Sequence, residues 1–361
     1  MPEIGLVHDY LLVRRGAERT FLAMTDCWPG APVSTLLFDE AVFGPDMAGR
    51  SVRASPLNRL RVRQSGFRRL LPLYPPAVER LDMSRFDVIV SSSSAFAHGV
   101  RPRPDAAHVC YCHSPFRYAW FERNRALEEF PPRARSVAGR FLDHQRDWDR
   151  RAALRVTHYI ANSRITQARI AECYGRDSTV IHPPVDVERF SVSEPEDFFL
   201  TVCELIGHKR VEIALEAARR IGAPIKVVGS GKDAPRLHAQ FGDSAEFLGR
   251  IDDDDLTSLV SRARALVVTN VEEFGIAAVE AQAAGRPVVA AAAGGALETV
   301  VEGVTGFLVD PPTPEGFAEA MQAVGERSWD SAAIQAHART FSTEAFQRKL
   351  TDQVARDCGL G

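Results

Sequence analysis

Residues 1–182 contain no lysine, and no window of the chain strings together the ~20 apolar residues needed to cross a bilayer. The opening MPEIGLVHDY lacks the basic and apolar regions of a secretion signal, so a cytoplasmic location is expected. Cysteines are few and unpatterned: Cys27, Cys110, Cys112, Cys173, Cys203 and Cys358 have no framework spacing, which excludes a disulfide scaffold. Cys110-Tyr-Cys112-His113 has no second ligand pair at zinc-finger spacing, and no structural metal is expected. There are no long repeats and no low-complexity tracts. A net charge of −3 without any binding motif argues against a nucleic-acid partner.

What is present suits two ordinary domains. The 361 residues are too many for one core, and 45% apolar with 25% charged residues is a normal globular balance. The charge is divided unevenly. Residues 1–182 hold 27 arginines against 19 acidic residues, and the remainder holds 17 basic against 28 acidic. The first half is therefore the one suited to an anionic partner. Its densest stretch carries Arg50, Arg53, Arg59, Arg61, Arg63, Arg68, Arg69 and Arg80, interleaved with Leu57, Leu60, Phe67, Leu70 and Leu73. Two readings stay open: a solvated arginine-rich face, or a dock for anionic lipid headgroups or an anionic acceptor, at the inner face of a membrane.

Strand and helix signals alternate, which implies parallel sheets with crossover helices. Ile4–His8, Phe86–Ser91, His108–Cys112 and His158–Ala161 read as strands. Helices are expected from Ala17-Glu18 and over Arg133–Arg155, the latter with Phe141, Trp148 and Leu154 on its apolar side. The polar, proline-rich stretch after His182 is expected as a hinge. A second series follows: strands at Phe198–Val202, Ile225–Val228, Glu246–Leu248, Ala265–Val268 and Pro287–Ala291, with helices at Val211–Ile221, Asp254–Arg264 and Ile276–Ala284. The expected division is an N-terminal domain over 1–185, a linker over 186–197, a C-terminal domain over 198–328, and C-terminal helices over 329–361 packing back on the first domain. Each domain should be a doubly wound α/β sheet with its ligands at the carboxyl ends of the strands.

The segment 271–289 carries the strongest chemistry. A strand ends in an acidic loop, Gly275 permits a tight backbone turn, and a helix begins at once. The free N–H groups of Gly275, Ile276 and Ala277 suit a diphosphate at the positive end of a helix dipole. Glu272 can accept hydrogen bonds from sugar hydroxyls, and Glu280, a turn further on, can clamp a ribose diol. The whole string Glu272-x-Phe274-Gly275-x-x-x-x-Glu280-Ala-x-Ala-x-Gly285-x-Pro287-Val288 resembles the retaining glycosyltransferases of family four, with Glu273 where glycine is common.

The resemblance runs along nearly the whole chain and implies the GT-B architecture, two Rossmann-like doubly wound domains facing a central cleft. It implies that Lys209 and Arg210 hold the leaving diphosphate. Many members have an arginine five positions before the lysine, where Glu204 stands here, which leaves the second positive charge to Arg210 or to the first domain. Gly229-Ser230-Gly231 resembles the family's second glycine turn, and Arg250-Ile251 the place of the nucleobase. In the first half, Gly16-Ala17-Glu18 resembles the loop over the donor phosphates and the acceptor. Tyr111-Cys-His113-Ser-Pro-Phe-Arg117-Tyr118-Ala-Trp120 is similar to a string of the O-antigen and exopolysaccharide mannosyltransferase subgroup. There the histidine lies over the donor sugar, and Arg117 and Tyr118 fall on the acceptor side.

By this resemblance the reaction is transfer of a sugar from a nucleoside diphosphate to a hydroxyl, with retention and without a metal or other cofactor. The leading donor is GDP-mannose, followed by a UDP-sugar; the acceptor is a glycan, a lipid-linked or a small-molecule hydroxyl. Rivals are a sugar-nucleotide epimerase on the same scaffold and a non-catalytic binding protein. Gly229-Ser-Gly231-Lys-Asp-Ala234 also fits a dinucleotide fingerprint, but it follows the domain's second strand where the Rossmann rule requires the first. The run Asp252–Asp255 reads as a helix start, with the acids meeting the dipole.

Overall fold

The structure, a computed structural model, describes residues 2–62 and 66–359. Arg63 of the arginine-rich stretch lies outside the described residues. The chain forms two compact units, one of residues 1–182 with 346–361 and the other of 183–345.

The first unit is built on seven parallel strands: β1 (Ile4–Leu11), β2 (Val33–Phe38), β3 (Val52–Ala54), β4 (Val88–Ser93), β5 (Ala107–Cys112), β6 (His158–Ala161) and β7 (Ser178–Val180). Their spatial order is β3-β2-β1-β4-β5-β6-β7. A parallel sheet is covered on both faces, and the residues alternate accordingly. Leu6, Val88, Val90, Val109 and Tyr111 enter one core with Phe346, Leu350 and Val354. Val7, Ile89 and Leu36 belong to another with Tyr74, Phe96 and Trp148. The spacing of Phe346, Leu350 and Val354 puts one stripe of the helix Thr343–Cys358 into this unit.

Sequence order reverses between β1 and β4, and the crevice outside their carboxyl ends is the place a doubly wound sheet offers a ligand. Asp9 closes that junction. Its buried carboxylate accepts from the backbone N–H groups of Ser94, Ala95, Phe96 and Ala97, at 2.6, 3.0, 2.8 and 2.5 Å. Burial pushes its carboxyl above the usual range, while these backbone bonds pull the other way.

The second unit carries β8 (Phe199–Val202), β9 (Ile225–Val228), β10 (Glu246–Gly249), β11 (Ala265–Val268), β12 (Val288–Ala291) and β13 (Gly306–Val309), all parallel, in the order β10-β9-β8-β11-β12-β13. Leu200, Val228, Leu266, Val288 and Ala290 face one core; Phe199, Val227, Ala265, Val267, Val289 and Ala291 face the other. Here the order reverses between β8 and β11.

The expected boundaries shift. The first unit ends at His182 and not at 185, and the second runs from 183 to 345 and not from 198 to 328. Residues 186–197 are no free linker: Val187 and Phe190 enter the second unit's core, and Glu196 N–H donates to the Arg262 carbonyl at 2.7 Å. Prolines and polar residues gave the stretch its linker character, but Val185, Val187 and Phe190 supply an apolar seam. The C-terminal helices also divide. Ser331–Arg339 belongs to the second unit, where Gln335 donates to the Ala283 carbonyl at 3.0 Å and Ile334 is fully buried. The chain returns to the first unit only from Phe346. The helix expected over 133–155 runs Arg135–Ala153, with Leu142, Trp148 and Ala152 buried; Leu154, beyond its last turn, is 69% exposed.

Two buried histidines tie the first unit's stability to pH. Burial holds both His8 and His108 down at about 3, and His108 Nε2 lies 2.8 Å from Ser91 Oγ. The unfolded chain takes up protons near the ordinary value of 6.5 and the folded one does not until about 3, so stability is lost as pH falls through that window. Urea midpoints at about pH 7.5 and about pH 5 should show a smaller acid loss for His108→Gln than for the parent. An equal loss in both would refute the assignment.

Candidate functional site

The reversal point of the second sheet gathers the sequence-predicted residues of that unit. After β8 the chain makes a tight turn through Gly207–Lys209, Arg210 adopts a left-handed conformation (φ 52°), and the helix Val211–Ile221 begins. After β11 it runs through Thr269, Asn270 and Glu272 to Gly275. Thr269 Oγ1 donates to the carbonyls of Lys209 and Arg210, at 3.0 and 2.9 Å, and so stitches the two loops together. Across this seam Lys209 Nζ donates to Glu272 Oε1 at 2.5 Å, and Asn270 Nδ2 donates to the same oxygen at 2.8 Å. The lysine and glutamate side chains are 17% and 32% exposed, a partly desolvated pair still open to a ligand.

Gly275 has φ 89°, a left-handed conformation that favours glycine, and it caps the helix Ile276–Ala283. The N–H groups of the first turn are therefore presented at the end of the acidic loop. Phe274 anchors that loop in the core, its ring 5.5 Å from Phe341. Ile276, Ala277 and Glu280 are partly buried at the start of the helix.

The surrounding loops touch backbone to backbone, which explains their glycines. A Cβ on Gly229 would lie 1.8 Å from the Cys203 carbonyl oxygen, and one on Gly231 2.2 Å from that of Leu205. Between them, Ser230 Oγ accepts from Arg250 Nε at 3.1 Å, linking the loops after β9 and β10, while Ile251 packs on the core. Gly294 and Gly295 are equally constrained: added Cβ atoms would come within 2.3 Å of the Glu272 oxygen and 2.2 Å of the Phe274 oxygen. Gly295 N–H donates to the Glu272 carbonyl at 2.9 Å. Sequence reasoning missed Thr269, Asn270 and this glycine pair. The signals were a polar pair closing an apolar strand and a Gly-Gly before a short helix. Arg210 sends Nη2 to the Pro312 carbonyl at 3.3 Å, so Lys209 is the cation beside Glu272. Nearby, burial pushes the Cys203 thiol up to about 11, where it is inert as a nucleophile.

In the first unit the predicted residues fall around the carboxyl ends of β1, β4 and β5. Gly16 and Ala17 open the helix Gly16–Cys27, and Glu18 Oε2 accepts from Arg15 N–H at 3.1 Å as part of the cap. Burial, offset in part by backbone hydrogen bonds, raises the Glu18 carboxyl to about 7. His113 follows β5 with Nε2 2.8 Å from Ser92 Oγ. Arg117 lies 3.7 Å from Glu122, and Tyr118 accepts from Arg68 at 3.1 Å beneath its guanidinium. Among the described residues no group of three or more His, Cys, Asp and Glu could hold a metal ion. Asp252 caps its helix by accepting from Asp255 N–H at 2.8 Å. No helix among the described residues is long and apolar enough to cross a membrane.

Two parallel, doubly wound units of this kind define the GT-B class, and comparison with known proteins agrees. The family model Glycosyltransferase Family 4 matches residues 12–189 and Glycosyl transferases group 1 matches residues 185–340. The chain belongs to these family 4, group 1 glycosyltransferases. It is 34% identical over 224 residues to D-inositol 3-phosphate glycosyltransferase of Geodermatophilus obscurus, covering 51% of this chain and 49% of that protein. It is 31% identical over 137 residues to D-rhamnosyltransferase WbpZ of Pseudomonas aeruginosa, 36% of each. These matches thus span half or less of the relatives' length. In fold it is similar to Anabaena HepE, solved with UDP and glucose, with a TM-score of 0.69 at 18% identity over 98% of this chain and 100% of that one. A sucrose-phosphate synthase from Thermosynechococcus elongatus gives 0.74 at 17% identity, covering 100% of both.

The glycine contacts make a direct test of the site's architecture. Gly295→Ala should lower the unfolding free energy by about 1–3 kcal/mol, because Cβ must displace the Phe274 backbone. Gly30→Ala, which would meet nothing within 4 Å, should stay within about 0.5 kcal/mol. Equal denaturant midpoints for the two would remove the close-packed loop account.

Proposed function

We propose that the protein transfers a sugar from a nucleoside-diphosphate sugar to a hydroxyl acceptor, with retained configuration and no metal ion. The observation that carries this reading is the Lys209–Glu272 pair at the reversal point of the second sheet, beside the left-handed Gly275 and the helix it opens. Departure of the diphosphate is the hard step. Lys209 and the N–H groups after Gly275 would meet its charge, so stabilisation grows as the bond breaks. Glu272 keeps Lys209 in place beforehand; with donor bound, the ammonium turns to phosphate and the carboxylate accepts from sugar hydroxyls. Glu280 takes the ribose, and Ser230, Arg250 and Ile251 border the base. Of the first unit's residues, His113 acts on the donor sugar, with Glu18, Arg117 and Tyr118 serving the acceptor.

The string around His113 favours GDP-mannose as donor, with a UDP-sugar second. UDP and glucose in the Anabaena relative support this class of donor. The relative named for D-inositol 3-phosphate supports a polyhydroxylated acceptor.

The three charged residues should separate by role. Glu280→Ala should weaken nucleoside diphosphate and nucleotide sugar alike. Glu272→Ala should leave nucleoside-diphosphate affinity intact while cutting turnover roughly 10- to 150-fold, the equivalent of a charge-assisted hydrogen bond of ~1.5–3 kcal/mol. Lys209→Ala should lose both. Calorimetry and initial rates, run with EDTA present, measure this. Reversed roles for the glutamates, or activity restored only by a divalent ion, would overturn the reading. Turnover without acceptor and without hydrolysis would favour an epimerase.

The arginine-rich segment gives this transferase an anionic surface to work on, at the inner face of a membrane. Arg59, Arg61, Arg68, Arg69 and Arg80 are exposed, and among them Leu60 is 57% and Leu73 45% exposed. Exposed leucines among arginines fit an interface of acyl chains and anionic headgroups. Co-sedimentation should need anionic vesicles and weaken steeply with salt; equal binding to neutral vesicles, or none to either, would leave a solvated face.

A further inference from the structure

Ser92 sits between two imidazoles. Strand β4 runs between β1 and β5, and its register sets His8 opposite Ser92. Ser92 Oγ lies 3.0 Å from His8 Nδ1 and 2.8 Å from His113 Nε2, and the serine is fully buried. The hydroxyl has one hydrogen to give, so the direction of each bond can be worked out.

His8 Nδ1 also lies 3.1 Å from the Ser92 carbonyl oxygen. A carbonyl oxygen can only accept, so His8 carries its hydrogen on Nδ1 and presents it to both serine oxygens. His8 is held in this pose by stacking on Phe21, with ring centroids 4.6 Å apart and 13° between planes. Burial, helped by the neighbouring His113, lowers its pKa to about 3, which keeps it neutral and its donor count at one. Ser92 Oγ therefore accepts on the His8 side. A buried hydroxyl hydrogen left without an acceptor is costly, and the remaining acceptor in reach is His113 Nε2. The backbone of His113 is fixed on both sides: its N–H donates to the Ser93 carbonyl at 2.8 Å and its own carbonyl accepts from Thr166 Oγ1 at 3.2 Å.

The geometry points to Ser92 and His8 as positioning residues that lock His113 as the neutral tautomer with its hydrogen on Nδ1. A nitrogen that accepts from Ser92 carries no hydrogen, so the neutral ring bears it on the other nitrogen. His113 then offers an N–H to an oxygen of the donor sugar and is not a base through that nitrogen. This rests on the proposed action of His113 on the donor sugar.

The tautomer can be read without any activity. Full-length protein labelled with ¹⁵N-histidine should give, for His113, a pyrrole-type Nδ1 and a pyridine-type Nε2 in long-range ¹H–¹⁵N spectra, the signal being assigned by its loss in His113→Gln. A pyrrole-type Nε2, or two protonated nitrogens at neutral pH, would overturn the proposal. Ser92→Ala should abolish the tautomer preference and lower turnover about tenfold, with nucleoside-diphosphate affinity unchanged. His8→Asn, which returns an N–H near the Nδ1 position, should preserve both tautomer and rate. A Ser92→Ala protein that keeps the tautomer would overturn the positioning role. If the tautomer is as stated and His113→Gln turns over like the parent, the lock stands and the action of His113 on the sugar is what fails.

Discussion

An ammonium and a carboxylate meet where the strand order of the second sheet reverses, and much of the nearby backbone is shaped around them. Lys209 comes from the loop after β8 and Glu272 from the loop after β11, so their contact spans the reversal itself. Thr269 fixes the two loops, Asn270 shares the carboxylate, and Gly294 and Gly295 let a third loop lie against the acidic one. A larger residue at any of these contacts would move the charges. The site is thus built on strand ends and tight turns, whose close backbone contacts hold its charged groups in place.

The first unit solves its own junction differently. Asp9 draws four backbone N–H groups onto one buried carboxylate, and from the same strand His8 begins the chain of hydrogen bonds through Ser92 to His113. Polar groups this deep must be satisfied, and the need for mutual satisfaction is what fixes their geometry. The basic excess lies in this unit, while the acidic excess lies in the other. Under the proposed function a donor phosphate would therefore meet a few positioned donors in an acidic setting. That favours recognition by geometry over bulk attraction.

The sequence was most legible where one physical demand leaves one residue type. Gly275 had to be left-handed to start a helix at once, and the central strands β11 and β12 had to be continuous apolar runs because both faces are covered. It was least legible for short edge strands such as β3 and β7, whose three residues show no period. The segment 183–197 misled because prolines and acids surround Val187 and Phe190, and burial follows the apolar residues. Leu154 misled because periodicity continues past the end of a helix although the helix does not. Thr269 and Asn270 could not be read as site residues, since their role is to hold Lys209, Arg210 and Glu272, which lie nearby only in the fold.

In the function proposed, the second unit's reversal point takes the diphosphate of a nucleotide sugar. Thermal denaturation of the whole protein against a panel of nucleoside diphosphates, nucleotide sugars, free sugars and nicotinamide dinucleotides measures this directly. A ligand at 100 times its dissociation constant stabilises the native state by about 2.7 kcal/mol, enough to show as a clear rise in the midpoint. The account predicts that one nucleoside diphosphate and its sugars raise the midpoint and that free sugars and the dinucleotides do not. A rise with a nicotinamide dinucleotide and none with any nucleotide sugar would contradict it.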